Sequence, residues 1–182
     1  NSTFGSSNFS GSIQSTVSAG STQGFSIVSW TGTGANATVG HNLGAVPQMF
    51  IIKNRSATAE WAVYHEDLTN AEQVSLFLDL TSAVSGTSAV RYNNTAPTSS
   101  VFSLGSSSLY NGSSNNMVAY CFSSIKGYSK VGSYVGTGSD VFIHTGFNVG
   151  WLLVKNADNT NGWLVIDTKR SPANPQGKYI YA

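Results

Sequence analysis

The residues able to do chemistry are few and scattered. A glycosidase needs two carboxyl groups about 5 to 9.5 Å apart, and the glutamates are Glu60, Glu66 and Glu72. On one extended strand Glu60 and Glu66 share a face but lie about 20 Å apart, and Glu66 and Asp67 point to opposite faces. A nucleophile elbow requires G-x-S-x-G, a pentapeptide that does not occur here. The single cysteine, Cys121, sits inside the apolar run MVAYCF, a poor setting for an activated thiolate and a good one for a small buried side chain. His41, His65 and His144 have none of the close spacings of a zinc site. Together these absences predict a chain that is not an enzyme and carries no cofactor.

Binding residues are easier to nominate. Trp61 and Trp163 have the rings to stack on a sugar, but each leads an apolar strand, which favours packing. Loops carry binding on β scaffolds, so Asn93, Asn94, Tyr110 and Asn111, with amide and phenol groups in turn-rich stretches, form the candidate ligand-binding set. The several N-x-S/T triplets follow from a composition so rich in Asn, Ser and Thr.

The elements that must position these residues are strands. Phe25 to Trp30, Met49 to Ile52, Trp61 to His65, Val74 to Leu78, Ala89 to Tyr92, Val101 to Leu104 and Met117 to Phe122 are β-rich runs. Between them turn signals arrive roughly every 8 to 12 residues. Met49-Phe50-Ile51-Ile52, bounded by Pro47 and by Lys53-Asn54-Arg55-Ser56, has the continuous apolar character of a strand covered on both faces. Thr69-Asn70-Ala71-Glu72 has capping-box spacing, but no amphipathic run follows it, so one helical turn is the expectation. The pattern predicts an all-β chain, a β-sandwich of jelly-roll-like type.

A second pattern overlies the first. GFSIVSWTGTGANATVGHNLGAVPQMFIIKNRSATAEWAVYHED, from Gly24 to Asp67, is echoed by GYSKVGSYVGTGSDVFIHTGFNVGWLLVKNADNTNGWLVID, from Gly127 to Asp167. Gly24 and Gly127, like His41 and His144, are 103 residues apart; Lys53 and Lys155, like Trp61 and Trp163, are 102 apart. Near-constant offsets predict an internal duplication. His41 and His144 then read as a polar residue repeated because its turn repeats. The expected organisation is an arm or linker over 1–23, with Phe4 and Phe9 docking on something, a first repeat over 24–126, and a second, incomplete repeat over 127–182 packed with it. Tyr179-Ile180-Tyr181-Ala182 reads as the counterpart of Met117-Val118-Ala119-Tyr120. That leaves two alternatives open, a lost middle or a natural chain extending beyond residue 182. The start on Asn1 rather than Met likewise reads as a processed product or a piece of something longer.

Composition narrows the partners. Charged residues make up 9% of the chain, against roughly 25% in an average soluble protein, and the formal net charge is +1. Phosphate recognition needs clustered Lys and Arg, and the nearest approach to a cluster is Lys169-Arg170, so nucleic acid is not an expected partner. No run of about 18 apolar residues and no leader pattern occurs, so no membrane partner is expected either. One cysteine forms no intrachain disulfide, which leaves packing and oligomerisation to hold the fold.

In their order, the Gly24 to His65 motif, NNTAPTSSVFSLG, MVAYCF, GYSKVGSYVGTG, GWLLVKN and GWLVID resemble a repeat domain of marine phage virion structural and tail-fibre proteins, including those of cyanophages. The likeness spans residues 12 to 182, and the shortened second copy departs from it. The resemblance implies a non-enzymatic bacteriophage module of a tail or capsid fibre, found next to lectin-like domains in long polypeptides. It also implies a place on the virion surface, homo-oligomerisation (trimers being the commonest fibre arrangement), contact with other virion proteins and host attachment through surface glycans. It implies no catalytic residue. A neutral polar coat suits such a life, because in salt of seawater strength charge attraction is screened within a few Å. A carbohydrate-binding, lectin-like module is the first alternative and a polysaccharide depolymerase the second.

Overall fold

The computed structural model describes residues 5–170, 172 and 178–182. Its elements, in order, are β1 (Ser6–Asn8), β2 (Ser15–Gly20), β3 (Phe25–Thr31), β4 (Ala37–Gly40), β5 (Met49–Asn54), β6 (Ala62–His65), β7 (Leu76–Phe77) and β8 (Val101–Leu104). A single helical turn α1 (Ser108–Asn111) follows, then β9 (Asn116–Phe122), β10 (Trp151–Val154), β11 (Leu164–Asp167) and β12 (Ile180–Tyr181). Among the described residues no helix is long and apolar enough to cross a membrane.

The chain is an all-β sandwich. Seven antiparallel strands run β1-β2-β3-β9-β5-β6-β7 across the main sheet, β4 and β8 pair separately, and β10-β11-β12 form a third sheet. Strand alternation sorts the side chains. Val28 and Trp30, Met117 and Ala119, Phe50 and Ile52, and Ala62 and Tyr64 point to one face of the main sheet. There they meet Val39 of β4 and Phe102 and Leu104 of β8 in the principal core. Phe50 lies at its centre, stacked on Tyr64 at 4.5 Å and on Phe102 at 5.1 Å between ring centroids, with the Tyr92 ring edge-on at 5.5 Å. On the opposite face Met49, Ile51, Val63 and Leu76 meet Trp163, Leu153 and Ala157. The third sheet therefore covers the back of β5, β6 and β7.

That third sheet repeats part of the main one. β5 and β6 pair as Met49↔His65, Phe50↔Tyr64, Ile51↔Val63 and Ile52↔Ala62. Shifted by 102 residues, these four pairs become those of β10 and β11: Trp151↔Asp167, Leu152↔Ile166, Leu153↔Val165 and Val154↔Leu164. The turns match too. Asn54 Oδ1 accepts from the amides of Ser56 (2.9 Å) and Ala57 (3.2 Å), and Asn156 Oδ1 from those of Asp158 (3.0 Å) and Asn159 (3.1 Å). The recurrent Lys-Asn thus marks an Asx turn that ends the strand.

Several sequence expectations change. Tyr179 to Ala182 are the counterpart of β7, not of β9. β12 lies on β11 as Val165↔Ile180 and Leu164↔Tyr181, just as β7 lies on β6 as Val63↔Leu76 and Ala62↔Phe77. Ala182 N donates to Trp163 O at 3.1 Å where Leu78 N donates to Trp61 O at 3.0 Å. Ala89 to Tyr92 is a turn, closed by Asn93 N to Ala89 O at 2.9 Å. Its alternation is overridden because Tyr92 must drop into the core from a chain reversal. The stretch 74–78 gives only the two-residue β7. Within 1–23, β2 adds six residue pairs to β3 and carries β1 on its far edge. Phe9 is 72% exposed, and Phe4 lies outside the described residues.

Candidate functional site

The four nominated binding residues separate into two kinds. Asn93 and Asn94 are exposed, both at left-handed φ, 54° and 49°, and Asn93 Oδ1 accepts from Asn36 Nδ2 at 2.7 Å. Tyr110 and Asn111 are buried, which corrects their assignment to a glycan-facing loop. Asn111 spends its whole amide on the Gly32-Thr33-Gly34 turn. Its Oδ1 accepts from Trp30 Nε1 (3.3 Å) and Thr33 N (3.1 Å), while its Nδ2 donates to Thr33 Oγ1 (2.9 Å) and Ala35 O (2.8 Å). Gly32 is obligatory there, because a Cβ would fall 2.1 Å from the Gly112 carbonyl oxygen. The turn does bring Asn93 and Asn111 into one neighbourhood, through the adjacent Asn36 and Ala35, but as a clamp rather than an open site.

Tyr110 belongs to a buried polar trio that sequence reasoning missed. Its hydroxyl donates to Ser75 Oγ at 2.9 Å, and Ser75 Oγ lies 2.7 Å from Tyr92 Oη. Burial pushes the Tyr92 phenol well above its ordinary range and raises that of Tyr110. Both therefore stay protonated and serve as hydrogen-bonding struts. Ser75 carries no base beside it and is closed to solvent. The trio joins residues 17 and 35 positions from Ser75, so no local signal announces it.

The remaining chemistry-bearing groups are also engaged in structure. His41 is buried; its Nδ1 accepts from Leu43 N at 3.2 Å, so Nε2 carries the proton and donates to Thr98 O at 3.1 Å. Burial lowers its pKa despite the Thr98 carbonyl, and the ring is a neutral bracket. His144, at the matching place in the second copy, is exposed. Cys121 is buried and its thiol is pushed up to about 12 by desolvation, so it is no ready nucleophile. Trp163 is buried with Nε1 donating to Phe77 O at 2.7 Å, whereas Trp61 is half-buried, stacked near Tyr120 and under Lys53 Nζ at 5.4 Å. Among the described residues no group of three or more His, Cys, Asp or Glu could hold a metal.

What the molecule does offer is surface. Residues 127–182 expose most of the chain's large apolar side chains that face solvent, among them Tyr134, Val135, Phe142, Trp151, Leu152 and Ile180. An open hollow of about 1080 Å³ lies beside them, where Gln48 and Ser124 face Lys130, Phe142, His144 and Phe147. Its walls combine apolar rings with two cations, Lys126 and Lys130, and hold no nucleophile paired with a base. Such a region suits contact with polypeptide better than turnover of a small molecule.

A family model described as a domain of unknown function, DUF7483, matches residues 1–182. No curated protein and no solved structure matches the chain.

Proposed function

We propose that the chain, which belongs to the DUF7483 family, is a non-enzymatic structural module of a phage virion, built as a homo-oligomer into a fibre or surface appendage. One observation supports this above the others: among the described residues, most of the large apolar side chains in solvent lie in residues 127–182, which make up under a third of the chain. Patches of that kind mark contact with other polypeptides. The buried polar side chains described above serve the scaffold, which is how a β module without disulfides holds its turns. The resemblance to phage fibre repeats supplies the virion setting and the expected trimer. The lectin alternative keeps Asn93 and Asn94 but loses Tyr110 and Asn111 to the interior.

Two measurements test the reading. Sedimentation of the purified chain is expected to show an oligomer, and an antibody against it is expected to label particles at the tail or capsid surface in electron micrographs. A monomer at tens of micromolar that labels no particle would sink the proposal. Release of reducing ends from host capsule, abolished by replacing a single Glu or Asp, would replace it with the depolymerase.

A further inference from the structure

The chain contains two Asn-Gly steps, Asn111-Gly112 and Asn161-Gly162, and the fold treats them in opposite ways. Among asparagine dipeptides this one rearranges most readily, because glycine has no Cβ to keep its main-chain nitrogen away from the asparagine amide carbon. Asn111 is buried and bound through four hydrogen bonds to Trp30, Thr33 and Ala35. Ring closure on it would break all four. Asn161 is exposed.

The loop that holds Asn161 is tied only in its first half. Asn156 Oδ1 accepts from the amides of Asp158 and Asn159, and Lys155 Nζ donates to the carbonyls of Asn156 (2.8 Å) and Asn159 (3.4 Å). Beyond Asn159 these bonds stop. Among the described residues neither the Asn161 side chain nor the Gly162 amide has a hydrogen-bond partner, and the chain is next anchored by Trp163 Nε1 on Phe77 O. Exposure is a property of the loop itself. Its equivalent in the first copy, between strands flanked by β9 and β7, is likewise exposed over 55–58 and at Glu60. A Cβ on Gly162 would fall 2.6 Å from Cδ1 of the Tyr181 ring, so a bulkier and slower-reacting residue there would push on β12.

We propose that Asn161 is a site of spontaneous modification, converted in the folded chain to aspartate and isoaspartate. The Gly162 main-chain nitrogen loses its proton to hydroxide and attacks Cγ of Asn161. The new N–Cγ bond forms, the bond from Cγ to the side-chain nitrogen breaks, and ammonia leaves after taking a proton from water, which gives a cyclic succinimide. Water then opens the ring at either carbonyl, so a water is consumed and an ammonia released for each carboxylate formed. The product alters the chain in two ways. Nine basic residues against eight acidic become nine against nine, and the formal net charge of +1 falls to zero, a state that favours association. The isoaspartyl form also lengthens the main chain by a carbon just before Trp163, the residue that seats the second hairpin on the first copy. Neither point draws on the virion reading, so particles without the label would remove that reading and leave this one.

The test warms the whole chain at mildly alkaline pH and follows it by isoelectric focusing and by mass spectrometry of tryptic peptides. Lys155 and Lys169 bound the peptide that holds Asn161, and Arg91 and Lys126 bound the one that holds Asn111. An acidic band is expected to grow, with the mass gain of amide to acid at Asn161, and the same peptide is expected to become a substrate for isoaspartyl methyltransferase. Asn111 is expected to convert at least about a hundredfold more slowly, because four hydrogen bonds must be released first. In guanidinium chloride the two rates should converge. Asn161→Gln, a change confined to solvent, should remove the early acidic band. The proposal is overturned if Asn161 stays intact in the folded chain while it reacts in denaturant, if Asn111 keeps pace with it under native conditions, or if the early acidic band persists in Asn161→Gln. A difference between the two sites that survives denaturant would place the protection in local sequence rather than in the fold, and would overturn it equally.

Discussion

Met49 to His65 and Trp151 to Asp167 fold into the same hairpin, pair for pair, yet they end in opposite environments. The first is the floor of the principal core, under Phe102 and Tyr92; the second covers the back of the first, with Leu152 and Trp151 in water. The hairpin and its Asx turn are local products of an apolar run and an asparagine. Closure of a core over them is not local, since over the first hairpin it is made by β8 and β9, which lie far from it in sequence. The same contrast separates His41 from His144 and Val39 from Phe142.

The comparison can be broken most readily at its centre. Phe50→Ala removes a ring stacked on two others and is expected to cost about 3–5 kcal/mol, whereas Leu152→Ala, at the equivalent position, is expected to cost less than about 1 kcal/mol. Urea denaturation of both variants checks the pair, and equal losses would mean that the two environments are not different. Next in size is Asn111→Ala. It leaves the buried Trp30 Nε1–H and the Thr33 amide without partners and is expected to cost about 2–3 kcal/mol. The second Gly-Thr-Gly turn has the same local bonds, Thr137 Oγ1 to Ser139 O at 3.2 Å and Ser139 N to Thr137 Oγ1 at 3.3 Å. It stands in solvent, so Thr137→Ala should change the melting temperature hardly at all.

A smaller contrast lies in the asparagines that end the hairpins' first strands. Asn54 is buried and also donates Nδ2 to Ser108 O at 3.1 Å. Asn54→Ala is expected to cost about 1–2 kcal/mol and Asn156→Ala about 0.5 kcal/mol or less. The gentlest probe is pH. Burial holds the folded-state pKa of His41 below the value near 6.5 of the unfolded chain, so the unfolded state takes the proton first. The stability linked to His41 is complete above about pH 6.5 and is lost as pH falls from there toward the folded-state pKa. His65 is shifted the same way, chiefly by burial. His41→Gln should therefore flatten the acid limb of a stability–pH curve in part, and an unchanged limb would contradict the burial argument.

These contrasts also show which features are legible in the sequence. β5, β6, β10 and β11 can be read because each is an apolar or alternating run bounded by turn residues, and the recurrence of Lys-Asn and Trp at fixed offsets fixes their equivalence. β4 cannot: in Ala37-Thr38-Val39-Gly40 only Val39 is a strongly apolar strand former, and the segment is a strand because β8 lies beside it. Ala89 to Tyr92 has strand alternation but becomes a turn. Gly105 accounts for part of this, since a Cβ there would lie 2.2 Å from the Val90 carbonyl, so the two backbones approach too closely for any other residue. Tyr110 and Asn111 sit among Ser, Gly and Asn, a composition that reads as solvated loop; their burial arises from Trp30, Thr33 and Ser75, each more than 30 positions away in sequence. The reading of Tyr179 to Ala182 as the counterpart of Met117 to Tyr120 fails for the same reason, because only their pairing with Leu164 and Val165 marks them as the β7 equivalent.

The most direct test of the central claim, that β8 and β9 close a core over the first hairpin while no strand among the described residues does so over the second, is amide hydrogen exchange on the intact chain. Strands β3, β9 and β5 should exchange only through global unfolding, the amides of 151–154 that point away from β11 should exchange far faster than their equivalents in 49–52, and 128–148 should exchange at the earliest times. Equal protection of 49–52 and 151–154, or slow exchange across 128–148 in the free chain, would contradict it.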